Sequence, residues 1–181
     1  MTNQKKRNRF IFRVIVLFIL FAAVAFVLIS SFLNEDSGVL KEGDVAPNFS
    51  LEQVNGEGAI VLHEDYAGKG VMLNFWATYC EPCKDEMPYM EDLYPIYKEK
   101  GVEILAVSLD STQIVIDRFI DNYGLTFPIV HDKRGQVMEL YNIVPIPTTY
   151  FINPDGTIER IVKDQLTLSK LENYLDEITP E

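Results

Sequence analysis

The chain has 181 residues, of which 48% are hydrophobic and 24% charged, a formal net charge of -11 and only two cysteines. This length suits about one domain with an additional segment. Two cysteines with the distant His63 and His131 argue against a disulfide framework or a zinc finger, which need more bridges or closer ligands. The negative charge argues against a nucleic-acid-binding protein, because phosphate-binding surfaces are built from clustered Lys and Arg.

The charge is unevenly distributed along the chain. All five basic residues before position 34 lie within residues 1–13, and residues 14–33 are apolar except for Ser30 and Ser31. A helix of this length spans the ~30 Å hydrocarbon core of a bilayer. The positive-inside rule then predicts a cytoplasmic basic tail at 1–13, a transmembrane signal-anchor helix at 14–33 and an extracytoplasmic body. A cleaved signal peptide is the alternative, because Ala23-Val24-Ala25 resembles a cleavage site.

The remainder predicts a tether and one folded domain. Residues 34–44 are polar, acidic and contain glycine, which is typical of a tether, and the domain is expected at 45–181. Apolar runs predict strands at 49–53, 59–62, 71–77, 102–109, 127–130, 148–152 and 157–162. Helical patterns predict a helix of about 20 residues that ends at Gly101, and helices at 114–123, 135–141 and 167–178. Strands that alternate with helices indicate an α/β fold, with the sheet between helix layers.

The two cysteines form a Cys80-Glu81-Pro82-Cys83 motif between the buried strand 71–77 and the long helix. The unpaired N–H groups and the dipole of a helix N-terminus stabilise a thiolate at the first cysteine. We therefore predict that Cys80 attacks and that Cys83, shielded about one turn further along, resolves the mixed disulfide. Half of a zinc site and a structural disulfide are the alternatives, although a CxxC between strand and helix favours redox chemistry.

Several segments carry a family resemblance: Ala46-Pro47-Asn48-Phe49, Leu73-Asn74-Phe75-Trp76, Cys80-Glu81-Pro82-Cys83-Lys84, Glu86 with Pro88-Tyr89-Met90, and Pro145-Ile146-Pro147-Thr148-Thr149. Over essentially the whole length, the chain resembles the ResA-like, membrane-anchored thiol-disulfide oxidoreductases of the thioredoxin superfamily. The resemblance implies a thioredoxin-like fold, in which helices flank a central mixed sheet, with an N-terminal β-hairpin and a central βα-type insertion. It also implies a redox-active disulfide, with no metal or other cofactor.

The same resemblance implies a biological role. The expected substrate is the CxxCH disulfide of apocytochrome c during c-type cytochrome maturation, and the expected electron donor is a CcdA-type membrane thiol transporter. The protein is expected to act as a monomer. The same chemistry on other envelope or spore proteins remains open, because no groove residue identifies a partner.

The residues around the motif differ from thioredoxin in the position of the acid. Thioredoxins usually carry a buried acid two residues before the tryptophan, where this chain has Asn74, so another base is needed. Glu86 follows Cys83 by three residues on nearly the same helix face and is predicted to relay protons, as the resemblance also implies. The alternative is an exposed first-turn acid that only complements the dipole.

Further residues are predicted to tune or line the site. Glu81 disfavours a thiolate at Cys80 by about as much as the dipole favours it, unless solvent removes its effect. Together, Glu81 and Pro82 argue against an oxidant. Trp76 either shields the disulfide or belongs to the core. The peptide bond before Pro147 is predicted to be cis, which would place Ile146 and Thr148 in a substrate groove facing Cys80; an extended loop proline is the alternative. Two departures from the thioredoxin pattern, Tyr79 and Asp164, bear on substrate preference.

Two other protein classes share part of this sequence pattern. A peroxiredoxin shares the Ala-Pro-x-Phe opening, but its Pro-x-x-x-Thr/Ser-x-x-Cys motif fails here, because Leu73 and Ala77 occupy the required positions. A copper-delivery module typically uses CxxxC and a distal histidine. The spacing here is one residue short, although His131 keeps this alternative open.

Overall fold

The computed structural model describes residues 15–25 and 39–180, and the chain divides into two compact units, residues 1–37 and 38–181. In the first unit, residues 15–25 form helix α1. Within the described ranges, no helix is both long and apolar enough to cross a bilayer. The predicted basic tail, the rest of the predicted transmembrane helix and residues 34–38 of the predicted tether lie outside the described residues.

The second unit contains a β-hairpin and a five-stranded mixed sheet. The hairpin pairs β1 (Ser50–Glu52) with β2 (Ala59–Val61) in antiparallel orientation. The sheet has the order β5-β4-β3-β6-β7, in which β3 and β5 run parallel to β4, and β6 runs antiparallel to β3 and β7. Its strands are β3 (Gly70–Trp76), β4 (Val102–Ser108), β5 (Ile129–His131), β6 (Thr148–Ile152) and β7 (Ile158–Val162). The helices are α2 (Leu62–Asp65), α3 (Glu81–Glu99), α4 (Gln113–Tyr123), α5 (Gln136–Leu140) and α6 (Leu168–Glu177).

The two faces of the sheet are covered by two separate hydrophobic clusters. One face of β3 and β4 packs against α3, α4 and α6, and this cluster includes both cysteines. The opposite face packs against the hairpin and α5. Because both faces are covered, every residue of β3 and of β4 is buried, which explains the continuous apolar runs in their sequences. The predicted α/β class and the mixed sheet are confirmed.

Gly101 ends α3 as predicted. Its φ of +85° lies in the left-handed region that glycine adopts without a steric penalty. The chain then enters β4 directly, one residue later. This connection sets β4 parallel to β3, so both strands end at the same edge of the sheet. The active-site motif follows β3 at that edge.

The folded domain begins earlier than the sequence predicted. Gly43 N–H donates to the carbonyl oxygen of Ile158 at 2.7 Å, and Ile158 N–H donates back to Asp44 at 2.8 Å. Leu40 packs against the second hydrophobic cluster. The prediction of a tether over 34–44 is therefore wrong for residues 40–44, which bind along β7. Their polar composition resembled a linker because backbone groups, not side chains, make most of these contacts.

A second difference is the unpredicted helix α2. It has only four residues, which is too short for helical periodicity to be visible in the sequence. Asp65 contributes to it, because its Oδ2 accepts a hydrogen bond from Val61 N–H at 2.7 Å, just before the helix begins. The other predicted elements are present, with ends displaced by one or two residues.

Candidate active site

The two cysteines form a disulfide where β3 gives way to α3. Cys80 is the N-cap residue of α3, and its Sγ accepts a hydrogen bond from Cys83 N–H at 3.3 Å. Cys80 is 8% exposed, whereas Cys83 is completely buried. The more accessible sulfur therefore lies at the positive end of the helix dipole, as an attacking thiolate requires. The predicted shielding of Cys83 is confirmed.

Glu86 lies one turn further along α3 and is completely buried. Its Oε1 accepts a hydrogen bond from Asn74 Nδ2 at 2.8 Å, and its Oε2 accepts one from Leu166 N–H at 3.0 Å. Burial raises the pKa of Glu86 from 4.5 to about 7, although both hydrogen bonds oppose the shift, and the nearby charge of Asp164 adds to it. The alternative of an exposed first-turn acid is wrong, because this carboxyl group is enclosed in the core.

Asn74 has an unusual hydrogen-bond pattern for a completely buried side chain. Its Nδ2 donates to both Glu86 and Thr149 Oγ1, the latter at 2.9 Å, while its Oδ1 has no partner among the described residues. An amide donates through one end and accepts through the other. In the observed orientation, the NH₂ group of Asn74 donates a hydrogen bond to a charged Glu86. If the amide rotates by 180°, its Oδ1 can accept a hydrogen bond from the protonated carboxyl group of a neutral Glu86. The pair is thus compatible with both protonation states of the glutamate.

The segment before β6 lies beside the end of β3. The antiparallel register pairs Asn74 with Thr149 and Phe75 with Thr148. The Ile146-Pro147 bond is cis, as predicted, and the Val144-Pro145 bond is also cis, which the sequence analysis missed. The half-buried Ile146 packs against the hydrophobic cluster that contains both cysteines.

Thr148 is less accessible than a groove residue was expected to be. It is almost completely buried. Its Oγ1 donates to the carbonyl oxygen of Pro145 at 2.7 Å, so the hydroxyl is bound within its own loop. Of the three predicted groove residues, Ile146 therefore has the most side-chain surface available.

Comparison with known proteins identifies the chemistry of this site. The chain is 58% identical over 181 residues to the thiol-disulfide oxidoreductase ResA of Oceanobacillus iheyensis, covering 99% of this chain and 94% of that protein. The chain belongs to the ResA family of thiol-disulfide oxidoreductases. The Bacillus cereus protein of the same name is 45% identical over 175 residues, covering 97% of this chain and 99% of that one.

Family and structural matches agree with this assignment. Residues 43–161 match the AhpC/TSA family. StoA from Bacillus subtilis has a TM-score of 0.63 at 32% identity, covering 72% of this chain and 97% of that one. The thioredoxin domain of a thiol-disulfide oxidoreductase from Bacteroides vulgatus has a TM-score of 0.68 at 29% identity, with coverage of 77% and 99%. This ResA-family chain therefore has a thioredoxin-like fold and is a thiol-disulfide oxidoreductase.

Glu81 is exposed and paired with Lys84, which the sequence analysis did not consider. Lys84 Nζ donates to Glu81 Oε2 at 2.6 Å, and this hydrogen bond raises the pKa of Lys84. The lysine offsets part of the negative charge that Glu81 places beside Cys80. The effect of Glu81 on the thiol is thus smaller than an isolated carboxylate would exert. Pro82 lies in the first turn of α3, where the missing N–H costs no helical hydrogen bond.

Trp76 lies in the core next to the active-site motif. It is completely buried and belongs to the same cluster as Cys80 and Cys83. Its ring contacts that of Phe119 with centroids 4.8 Å apart, and its Nε1 has no hydrogen-bond partner in the part of the chain that the structure describes. The residue is therefore part of the core that also contains the disulfide, and its role as a shield stays a prediction.

The histidines bind the backbone in this ResA-family chain. His63 Nε2 donates to the carbonyl oxygen of Ala46 at 2.7 Å, and His131 Nε2 donates to that of Asp110 at 2.8 Å. Across residues 15–25 and 39–180, no group of three or more His, Cys, Asp or Glu side chains is placed to hold a metal ion. Each histidine therefore has one ring nitrogen engaged with a backbone carbonyl group.

Two groups near the motif were missed. Leu166 N–H binds Glu86 across 80 positions of sequence, and no side-chain pattern signals a backbone donor. Asp110 binds Thr78, two residues before Cys80. A signal for Asp110 was available, because it is an acid that closely follows a buried parallel strand, at the edge of the sheet where functional side chains gather.

Proposed function

We propose that this chain is a membrane-anchored, extracytoplasmic reductant that acts on the CxxCH disulfide of apocytochrome c. The observation that carries the proposal is the completely buried Glu86, one turn after Cys83 in the helix that begins at the disulfide. A base with a pKa of about 7 is partly charged at neutral pH, so it can accept and return a proton. Cys83 needs such a base, because a completely buried thiol has no access to water.

In the proposed reaction, the Cys80 thiolate attacks one sulfur of the substrate disulfide. A mixed disulfide forms, and the other substrate sulfur leaves as a thiolate. Glu86 takes the proton of Cys83, whose thiolate then attacks Cys80 Sγ and releases the second substrate thiolate. The substrate gains two electrons, and the protein is left with the Cys80–Cys83 disulfide.

The anchor and the partners are part of the same proposal. Five basic residues lie within 1–13, and an apolar segment of 20 residues follows them. This pattern supports a single membrane span with the N-terminus in the cytoplasm. A CcdA-type membrane thiol transporter would return electrons to the disulfide, and the protein would act as a monomer. A dedicated electron supply fits an extracytoplasmic site, because dithiols otherwise stay oxidised there.

The test uses the reduced full chain in detergent and a synthetic peptide with an oxidised CxxCH sequence. Cys83→Ser should trap a mixed disulfide with the peptide at Cys80, whereas Cys80→Ser should trap none. Equal rates with a cysteine-bridged peptide that lacks the CxxCH sequence would favour other envelope or spore proteins as substrates. No reduction of either peptide would overturn the proposal.

The reduction potential tests the direction of electron flow. Equilibration of the full chain in redox buffers should give a value well below about -230 mV, as for thioredoxin-like reductants. A value near the ~-120 mV of strong periplasmic oxidants would reverse the flow and exclude the cytochrome role. A copper titration of the reduced chain, with no binding expected, tests the remaining alternative.

A further inference from the structure

The turn that presents Cys80 is joined to β4 by one buried side chain. Cys80 N–H donates to Ala77 O at 3.1 Å, which closes a turn with Thr78 and Tyr79 at its centre. Thr78 N–H donates to Asp110 Oδ2 at 2.9 Å, and Thr78 Oγ1 donates to Asp110 Oδ1 at 2.7 Å. Both carboxylate oxygens of Asp110 therefore bind the residue two positions before the attacking sulfur.

Asp110 is itself held firmly. It is 4% exposed, and its Oδ2 also accepts a hydrogen bond from Ser108 Oγ at 3.0 Å. Its backbone oxygen accepts a hydrogen bond from His131 Nε2 at 2.8 Å, which ties the residue to the end of β5. A buried carboxylate is stable only with such partners, and each bond from a buried donor restricts its position. The carboxylate thus links the Cys80 turn to β4 and β5.

We propose that Asp110 is a positioning residue for the Cys80 thiol, an inference that rests on the proposed attacking role of Cys80. In the oxidised protein, the disulfide itself holds Cys80 against α3. After reduction that covalent link is gone, and the bonds from Thr78 to Asp110 become the side-chain link that keeps the turn in place. Asp110 therefore stabilises the reduced form more than the oxidised form, and keeps the Cys80 sulfur within reach of Cys83 N–H and the helix dipole.

This inference predicts a shift in redox equilibrium. Asp110→Ala should weaken the reduced form and lower the equilibrium constant for reduction about tenfold, which is about 30 mV towards more negative potential for a two-electron couple. The displaced Cys80 sulfur should also show a higher pH midpoint for alkylation by iodoacetamide, because its thiolate loses the hydrogen bond from Cys83 N–H and the stabilisation by the helix dipole. The alkylation rate at pH 7 should fall about three- to tenfold.

The conservative variant separates position from charge. In Asp110→Asn, the side-chain oxygen can accept from Thr78 N–H and Ser108, and the new NH₂ can donate to the Thr78 hydroxyl, which rotates to accept. This variant should stay within twofold of the wild type in both measurements. Thr78→Val keeps the backbone donor, so it should shift the potential and the alkylation midpoint in the same direction as Asp110→Ala but by a smaller amount. It replaces Asp110→Ala as the test if that variant does not fold. The double variant, with Asp110→Ala and Thr78→Val together, should shift the potential and the midpoint no further than Asp110→Ala alone.

Glu103→Ala is the matched control. Glu103 is a buried carboxylate near the start of the same strand, where it binds Lys69 and Tyr94, about 16 Å from Ser108 at the other end. Its loss should lower stability in both redox states and leave the potential and the alkylation midpoint unchanged.

All measurements use the full chain in detergent. If Asp110→Ala and Thr78→Val stay within twofold of the wild type, or if Glu103→Ala shifts the potential as much, the inference is overturned. Neither readout needs apocytochrome c. If the protein does not reduce the CxxCH peptide but Asp110→Ala shows the expected shift in reduction potential, the proposed substrate is overturned and the positioning role of Asp110 stands.

Discussion

Replacement of Glu86 by glutamine should change how the stability of the protein depends on pH. Burial raises the pKa of Glu86 from 4.5 to about 7 in the folded state. Between these two values the folded chain holds a proton that the unfolded chain releases. The contribution of Glu86 is therefore present below pH 4.5 and is lost as the pH rises to about 7.

The size of the effect follows from the difference in pKa. A difference of one in pKa corresponds to about 1.4 kcal/mol, so the change from 4.5 to about 7 gives about 3 kcal/mol. Glutamine carries no such proton and has the same shape. Its oxygen can accept from Leu166 N–H, and its NH₂ can donate to Asn74 Oδ1 once that amide turns over. The variant should therefore fold with the contacts of position 86 to Leu166 N–H and Asn74 retained.

The assay is urea unfolding of the oxidised full chain from pH 4.5 to 8.5, followed by the fluorescence of Trp76, the only tryptophan. Subtraction of the unfolding free energy of Glu86→Gln from that of the wild type at each pH cancels the contributions of all other titratable groups. Relative to the variant, the wild type should lose about 3 kcal/mol between the two ends of this range. Glu81→Gln, an exposed neutralisation in the same helix, should show the pH profile of the wild type.

Parallel profiles for wild type and Glu86→Gln would refute the reasoning. They would mean that the pKa of Glu86 is the same in the folded and unfolded states, because the bonds from Asn74 and Leu166 offset the effect of burial. A difference that grows in the opposite direction would mean that these bonds outweigh burial and lower the pKa. Either result would also remove the argument that Glu86 exchanges protons near neutral pH.

Two further predictions concern charge at the site. Asn74→Asp would place a second carboxyl group against Glu86, so unfolding in urea should show a loss of about 2–4 kcal/mol at pH 8 and a smaller loss at pH 5, where the pair shares a proton. An equal loss at both pH values would contradict this. Lys84→Gln would leave Glu81 unpaired beside Cys80, so the pH midpoint for alkylation of Cys80 should rise; a midpoint that falls or stays constant would show that Glu81 is fully screened by solvent.

The sequence was most informative where structure and chemistry are local. The CxxC motif, the helix that follows it and the glycine that ends that helix lie within one segment, so the position of the motif predicted that Cys80 begins the helix and that Cys83 is shielded. The positions of the buried strands β3 and β4 were predicted from two continuous apolar runs. The contacts of residues 40–44 with β7 were not predictable in this way, because backbone hydrogen bonds to a distant strand leave no pattern of side chains.

Glu86 shows where prediction from sequence ended. The sequence predicted its position on the same helix face as Cys83, but it did not predict its burial. The N–H group that binds Oε2 belongs to Leu166, between β7 and α6. Whether an acid in the first turns of a helix is exposed depends on what packs over it. Asp110 shows the same limit, because its proposed role depends on Thr78, which lies in the turn after β3 and is distant in sequence.

The substitution of Asn74 and the presence of Glu86 are best understood as one change. Thioredoxins usually carry their buried acid at the position of Asn74, on the strand, whereas here the acid comes from the helix. Asn74 Nδ2 lies 2.8 Å from Glu86 Oε1, so the carboxyl group of the helix is one hydrogen bond away from the side chain at the strand position. A neutral amide at position 74 is then required, because two acids at this distance could not both be charged. The sequence departs from the thioredoxin pattern at positions 74 and 86 together, and in the structure these two side chains form one buried, hydrogen-bonded pair.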